Sequence, residues 1–337
     1  MNPEFAPVHD SVVVLCYHGV TLELADLNVQ TVHMPVSSFT RQLDVLARHY
    51  ELISLDVLAD LLRSRQPLGA PKAVITFDDG YRNVLTVAAP LLRARRIPFA
   101  VFVSTRNITT GERFPTYILR AALYTTPKEE VYLPSIDRQF TLKDGAARRA
   151  AVGELTPILK RIPESLVSPL VRELRGLVAA EEWPAIDARF DADAPLDWNG
   201  VRRLRRLGAV IGAHGHDHAI LHQRQSTQEV LYQLTESKRM IESEIGPCRY
   251  FAYPNGGIHD ISAIAARRLP ACGYELGLAA VPGIVTGGAQ PYLLPRIFVP
   301  PTLDALYARL TAAAENMPRY ESWRASFGVI DTHTRSA

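Results

Sequence analysis

Four short runs of this sequence are apolar at nearly every position, and they constrain the fold more than any other feature. The runs are residues 11–17, 73–75, 99–103 and 209–213. Continuous apolar runs of this kind are typical of strands buried on both faces of a parallel sheet. Segments with helical spacing separate them, and Phe39, Leu43 and Leu46 are one example. The alternation predicts a parallel α/β sheet or barrel. Further strands are predicted at 52–54, 249–253, 275–279 and 293–299.

Residues 106–195 interrupt this rhythm. They contain several helical segments with scattered prolines, and their longest predicted strand is 131–133. We predict a mainly helical insertion, which is either a lid over the site or a solvated spacer. The predicted divisions are a barrel (1–105 and 196–315), this insertion (106–195) and a C-terminal tail (316–337). One amphipathic helix is expected at about 302–314, and a loose end from Pro318.

Composition excludes some classes of function. The chain has 337 residues, of which 47% are hydrophobic, and a formal net charge of +2. A charge so close to neutral argues against nucleic acid as the main partner. Three cysteines without metal-type spacing, Cys16, Cys248 and Cys272, are typical of a reducing compartment. Because we find no secretory leader and no apolar run of transmembrane length, we expect a cytoplasmic protein.

A cluster of arginines lies in the predicted helix 201–207. Its members are Arg202, Arg203, Arg205 and Arg206. The cluster is interpreted as a solvated helix face, with peripheral contact to an anionic membrane or phosphate as the alternative.

The strand at 73–75 ends in the residues Thr-Phe-Asp-Asp-Gly, at 76–80. Neighbouring carboxylates repel, so a fold that holds Asp78 and Asp79 together at a strand end needs a cation nearby. Alternation along the strand points the two side chains in different directions, which suits two different roles. The simpler alternative is a strand-to-helix turn with an aspartate cap and a permissive glycine.

A histidine cluster directly follows the fourth apolar run, with imidazoles at residues 214, 216 and 218. Four residues apart, His214 and His218 can face one point, as metal ligands do. With Asp79 as a third ligand, two nitrogens and one oxygen leave a position for water, which is typical of a catalytic site. Zn²⁺ is the expected ion, with Co²⁺, Ni²⁺ or Fe²⁺ as alternatives. Asp78, beside the ion, would accept the proton of its water.

These motifs resemble those of the polysaccharide deacetylases, the NodB-homology or carbohydrate esterase family 4 group. Besides the two clusters, the resemblance includes Phe-Ala-Tyr-Pro-Asn-Gly at 251–256 and Leu-Pro-Arg-Ile at 294–297. It covers about 11–104 and 196–310, in the family's order. The Tyr-His pair on the first strand is similar to the circularly rearranged members that begin with this strand. The resemblance implies a distorted (β/α)₇ TIM-like barrel with its site at the carboxyl ends of the strands.

The family's roles can be carried over by position. The resemblance implies Asp78 as general base and Asp79, His214 and His218 as metal ligands. It also implies an oxyanion donor at the backbone N–H of Asn255. Four residues are expected to contact substrate: Tyr17, Tyr253, Pro254 and Asn255. His216 and Asp217 are expected to contact the metal ligands without binding the metal themselves.

Three positions depart from the family's pattern. Gly215 stands where a serine or threonine usually follows the first histidine, so a polar contact is missing. Ala252 occupies the place of an arginine that pairs with the base, and we expect Arg296 to replace it, with Arg249 as the alternative. The last strand lacks the family's acid histidine. We expect His18 to be that acid, because the first and last strands of a closed barrel are neighbours; the alternative is a histidine bonded to backbone.

The expected function is metal-dependent removal of an N-acetyl group from an amino sugar in a glycan or glycan precursor. A cytoplasmic location would favour a nucleotide- or lipid-linked saccharide. A metallo-β-lactamase-type site explains the histidine run less well, since the run is one residue short and the paired aspartates would have no role. Within the family, deformylation of a formamide or hydrolysis of a cyclic imide are alternatives. A non-catalytic carbohydrate-binding barrel is another, although it would not need a base beside a metal.

Overall fold

The computed structural model of the protein describes residues 6–328 and residue 330. Its strands are β1 Val12–Tyr17, β2 Gly19–Thr21, β3 His33–Pro35, β4 Glu51–Leu52, β5 Lys72–Phe77, β6 Phe99–Val103, β7 Glu130–Leu133, β8 Arg138–Thr141, β9 Val210–Ala213, β10 Tyr250–Ala252, β11 Leu276–Leu278 and β12 Ile297–Phe298. Its α-helices are α1 Val36–His49, α2 Leu55–Ser64, α3 Ala89–Ala94, α4 Thr105–Thr110, α5 Pro115–Thr125, α6 Gly145–Leu159, α7 Glu164–Arg175, α8 Trp183–Arg189, α9 Trp198–Arg206, α10 Thr227–Ile245, α11 Ala263–Arg268, α12 Leu303–Glu315 and α13 Met317–Ala325.

Seven strands form one parallel sheet in the order β11-β10-β9-β6-β5-β1-β12. The chain just before β12 closes the sheet onto β11. There the N–H of Leu294 donates to the carbonyl of Gly277 at 2.8 Å, and the N–H of Ala279 donates to the carbonyl of Leu294 at 2.8 Å. Strand β4 pairs with β5 outside this order. The predicted distorted (β/α)₇ barrel is confirmed.

The register of the sheet sets the position of the strand ends. Tyr17 lies opposite Phe77 where β1 and β5 end. The residues that follow, His18 and Asp78, therefore leave the sheet side by side. Strand β9 ends directly before His214 at the same end of the barrel. Polar side chains from distant parts of the sequence meet there, as the carboxyl ends of parallel strands require.

The insertion has a hydrophobic core of its own. Its buried apolar residues come mainly from α5 to α8 and from the antiparallel pair β7 and β8, and they include Leu119, Leu155, Leu174 and Ile186. The prediction of a mainly helical segment is confirmed. The two-stranded hairpin is longer than the single strand predicted at 131–133. No helix in the described ranges has the length and apolar character that crossing a bilayer requires.

The prediction of a loose end from Pro318 is wrong for the described residues. Pro318 occupies the first turn of α13, where its missing N–H costs no hydrogen bond. The helix then buries Tyr320 and Trp323. The Tyr320 hydroxyl donates to the carbonyl of Leu293 at 2.8 Å, and the Trp323 indole donates to that of Ile258 at 3.0 Å. The rest of the predicted tail, residues 329 and 331–337, lies outside the described residues.

Candidate active site and metal centre

The paired aspartates lie in a tight turn at the end of β5. The N–H of Asp78 continues the sheet by donating to the carbonyl of Tyr17 at 2.9 Å. Asp79 then adopts a φ of 71° and Gly80 a φ of 74°. Aspartate tolerates this left-handed conformation better than most residues, and a Cβ on Gly80 would lie 2.9 Å from the Cγ1 of Val103. The turn directs the two carboxylates to different partners.

Asp79 faces both predicted metal-binding histidines. Its Oδ1 lies 3.1 Å from the Nε2 of His218 and 3.4 Å from the Nε2 of His214. Asp79, His214 and His218 each offer one potential ligand atom, and these three atoms all lie within 4.8 Å of one another. Burial alone would raise the pKa of Asp79, but its hydrogen bonds with His214 and His218 hold that pKa well below its usual range. Two imidazoles and an ionised carboxylate fit the donor set that Zn²⁺ takes in catalytic sites.

The tautomer of His214 is fixed by its surroundings. Its Nδ1 lies 2.7 Å from the carbonyl of Ala252. A carbonyl only accepts, so Nδ1 carries a hydrogen. Nε2, which faces Asp79, is therefore the nitrogen that would bind a metal after losing its own proton. Ala252, which lacks the expected arginine side chain, supports the ligand through its backbone.

Asp78 forms a buried, bidentate ion pair with Arg296. The Nη1 and Nη2 of Arg296 donate to Oδ1 and Oδ2 of Asp78, each at 2.7 Å, and Arg296 is 0% exposed. The Cys16 thiol also donates to Oδ2, at 3.4 Å. Burial would raise the pKa of Asp78, but the charges of Arg296 and His214 outweigh burial and lower that pKa to about 2. Asp78 is therefore ionised at neutral pH. The alternative arginine, Arg249, pairs with Glu275 instead, at 2.7 Å.

His18 lines the same cavity as Asp78 and Asp79. Its ring centroid lies 5.3 Å from that of Phe298. Its Nδ1 is buried and has no hydrogen-bond partner in the part of the chain that the structure describes. Burial lowers the pKa of His18 in spite of the nearby carboxylates of Asp79 and Asp78. The imidazole is therefore neutral at pH 7.

The predicted substrate contacts of Tyr17 and Tyr253 are wrong. Both side chains are buried. The Tyr17 hydroxyl donates to Oε1 of Gln42 at 3.2 Å, and the Tyr253 hydroxyl donates to the carbonyl of Tyr292 at 2.9 Å. Side chains alternate along a strand, so Tyr17 points away from the face that His18 and Cys16 present to the cavity.

The two other predicted substrate contacts, Pro254 and Asn255, have different surroundings. Pro254 is buried, and a Cβ on Gly215 would lie 3.6 Å from its Cγ, so it packs beside the turn that holds the histidines. Asn255 lines the cavity and adopts a φ of 60°. Its Oδ1 accepts from Lys160 Nζ at 2.6 Å, and its amide nitrogen donates to Asp260.

The structure reveals one supporting residue that the sequence analysis missed. Gln233 on α10 is buried, and its Oε1 accepts from the N–H groups of His216 and Asp217 at 2.8 and 2.9 Å. Its Nε2 donates to Oδ2 of Asp217 at 2.9 Å. A Cβ on Gly215 would lie 3.2 Å from the Gln233 Oε1, and Gly215 has a φ of 75°. Gln233 thus braces the histidine loop. The feature of the sequence that could have indicated this role is a polar residue beside Leu234, on the apolar face of the predicted helix.

His216 and Asp217 brace the loop and do not touch the metal ligands directly. The Nδ1 of His216 lies 2.8 Å from the Oγ1 of Thr105, and Asp217 accepts from Arg106 at 3.3 Å. Both contacts tie the histidine loop to α4, at the start of the insertion.

The site opens into a cavity of about 300 Å³. Barrel residues form its floor, among them His18, Asp78, Asp79, His214 and His218. The insertion forms one wall, through Pro115, Arg120, Lys160 and Glu164 among others. The insertion is therefore part of the site.

Comparison with solved structures finds the same fold in several proteins of low sequence identity. IcaB from Ammonifex degensii has a TM-score of 0.58 and 18% identity, over 92% of this chain and 100% of that one. The Streptococcus pyogenes deacetylase PplD, solved with acetate, has a TM-score of 0.57 and 15% identity, over 91% and 99%. The BpsB deacetylase domain from Bordetella bronchiseptica has a TM-score of 0.51 and 17% identity, over 86% and 96%.

Sequence comparison gives a narrower result. A search of curated proteins returns no match. The family profile described as polysaccharide deacetylase matches residues 65–275. That match contains the Asp-Asp turn and the histidine pair, whereas His18 and Arg296 lie outside it. Since the matched region covers more than half of the chain, this protein belongs to the polysaccharide deacetylase family.

Proposed function

We propose that this protein is a metal-dependent hydrolase that removes the N-acetyl group from an amino sugar in a glycan or glycan precursor. The observation that carries the proposal is that two adjacent carboxylates have different partners. Asp79 faces His214 and His218, whereas Asp78 is held beside them by Arg296. A purely carbohydrate-binding barrel would have no use for an ionised base next to a metal site.

Asp79, His214 and His218 would hold a divalent ion, which we expect to be Zn²⁺, with Co²⁺, Ni²⁺ or Fe²⁺ as alternatives. Such an ion lowers the pKa of a bound water and polarises the amide carbonyl. The bond from Nδ1 of His214 to the carbonyl of Ala252 orients the ring so that Nε2 would be the nitrogen that binds the ion.

Asp78 would act as the general base. Arg296 keeps it ionised and fixes its orientation, so it can accept the proton of the attacking water. Water adds to the acetyl carbonyl carbon, the C–N bond breaks, and acetate and the free amine leave. The backbone N–H of Asn255 is proposed to donate to the carbonyl oxygen during this step.

His18 is proposed to protonate the departing amine. Because burial keeps its imidazole neutral, it must first gain the proton that Asp78 takes from water. We predict that His18→Gln lowers kcat by about 10²-fold or more while bound metal stays stoichiometric. Acetate release at saturating substrate and elemental analysis would measure both. The exposed His9 provides the matched control, His9→Gln, with no expected effect. A His18→Gln variant within threefold of the wild type would remove His18 from the mechanism.

The activity itself is tested by incubating the purified protein with N-acetylated sugars. We predict equimolar acetate and free amine, loss of both after chelation, and recovery when Zn²⁺ is added back. Formate released from an N-formyl sugar, or ring opening of an imide, with no acetate from any sugar would favour the alternative hydrolases. Neither bound metal nor product would favour the binding barrel. The cytoplasmic location and the domain boundaries stay predictions.

A further inference from the structure

Two cationic side chains of the insertion face the catalytic cavity. Arg120 lies on α5 and is only 7% exposed, and Lys160 directly follows α6 and is half-buried. Both line the cavity together with Asp78 and Asp79. The mechanism proposed above gives no role to Arg120 or to Lys160.

Neither cation has a carboxylate partner. Within residues 6–328 and 330, no Asp or Glu oxygen lies within ion-pair distance, 4.0 Å, of either group. The Nε of Arg120 donates to the carbonyl of Val29 at 2.7 Å, and the Nζ of Lys160 donates to Oδ1 of Asn255 at 2.6 Å. Burying a cation without an opposite charge is costly, and the other deeply buried guanidinium, Arg296, has a bidentate partner.

Most of the carboxylates near these two cations have other partners. Asp193 and Asp79 act on Arg120 at longer range, and Asp260 and Asp79 act on Lys160. Asp193 faces His33 at 3.2 Å, Asp260 accepts from Asn255 and from the N–H of Gly257, and a bound metal ion would offset the charge of Asp79. Asp217 is already bonded to Gln233 and Arg106. Glu164, which also lines the cavity, has its pKa raised to about 7 by burial and by Asp217, so it is only partly ionised at neutral pH.

We propose that Arg120 and Lys160 bind a phosphate group of the N-acetylated sugar, so the substrate class is a sugar phosphate, either free or joined to a nucleotide or lipid carrier. The proposal rests on the function proposed above. Two cations match the two negative charges of a phosphate monoester or of a diphosphate linkage, and the guanidinium fork suits phosphate oxygens. The insertion would then select the substrate.

The test compares four N-acetylated sugars. N-acetylglucosamine 1-phosphate and UDP-N-acetylglucosamine distinguish free from carrier-linked phosphate, methyl N-acetylglucosaminide is neutral, and N-acetylmuramic acid carries a carboxylate. We expect Arg120→Gln and Lys160→Gln each to lower kcat/KM for the phosphorylated sugars by about 10–100-fold, mainly through KM, and to change the neutral sugar less than threefold. Arg149→Gln, an exposed arginine on α6, should change none of them.

Binding of glucosamine 1-phosphate, measured by calorimetry at equal metal content, gives a second readout that needs no turnover. If binding weakens in both variants although no sugar is deacetylated, the phosphate site stands and the proposed activity fails. If acetate is released but both variants lose the neutral and phosphorylated sugars equally, the residues are structural and the inference fails. A wild-type preference for the carboxylate sugar also overturns it. Should Arg120→Gln not fold, the half-buried Lys160→Gln and the charge-retaining Arg120→Lys decide the question.

Discussion

Replacing Asp78 with asparagine should reduce kcat by about 10²–10⁴-fold while leaving bound metal stoichiometric. Asparagine has the shape of aspartate but cannot accept the proton of the attacking water. Its carbonyl oxygen still accepts one hydrogen bond from Arg296, so we expect the fold to survive. Acetate release at saturating substrate and the metal content of the same sample measure the two expectations together.

The neighbouring aspartate supplies the contrast. Asp79→Asn should lose metal and activity together, because its Oδ1 lies within 3.4 Å of both His214 and His218. If Asp78→Asn also lost its metal, Asp78 would be a ligand and the division of roles would be wrong. Full activity in Asp78→Asn would require a different base.

The parts of this site that were predictable are those encoded locally. Each apolar run forms a buried strand, and the residue types directly after the run identify the chemistry at its end. Asp78, Asp79, His214 and His218 were found in this way, and the parallel topology brings them to one end of the barrel. Because Ala252 replaces the arginine that usually pairs with the base, Arg296 and Arg249 were the two candidates for that partner. In the structure Arg296 pairs with Asp78.

The remaining features depend on tertiary packing. Tyr17 and Tyr253 lie within motifs that carry the family resemblance. Strand alternation and closure of the barrel nevertheless direct their side chains into the core. Gln233 braces the histidine loop only because α10 packs against it. Arg120 and Lys160 belong to a segment without a motif, and only the fold of the insertion brings them to the cavity.

Arg296→Met should be the most destabilising of the substitutions considered, by about 3–5 kcal/mol at pH 7. It leaves the carboxylate of Asp78 buried without its bidentate partner. Arg249→Met is the matched control, because Arg249 also pairs with carboxylates, but on a side chain that is 33% exposed. Exposed pairs contribute about 0–1 kcal/mol, so the control should lose far less. Urea unfolding of both variants and the wild type measures the difference.

In Arg296→Met, the contribution of Asp78 to the pH dependence of the free energy of unfolding should also change sign. In the wild type the pKa of Asp78, about 2, lies below its ordinary value of 3.8, so its contribution is present above pH 3.8 and is lost as pH falls toward 2. Without Arg296, burial raises this pKa, so the variant should gain stability relative to the wild type as the pH is lowered and Asp78 becomes protonated. Adding Asp78→Asn to Arg296→Met should recover much of the loss, since the unpaired charge of Asp78 is then removed as well. A double variant as unstable as the sum of the two single ones would mean that the pair is not coupled, and that Arg296 does not hold the base.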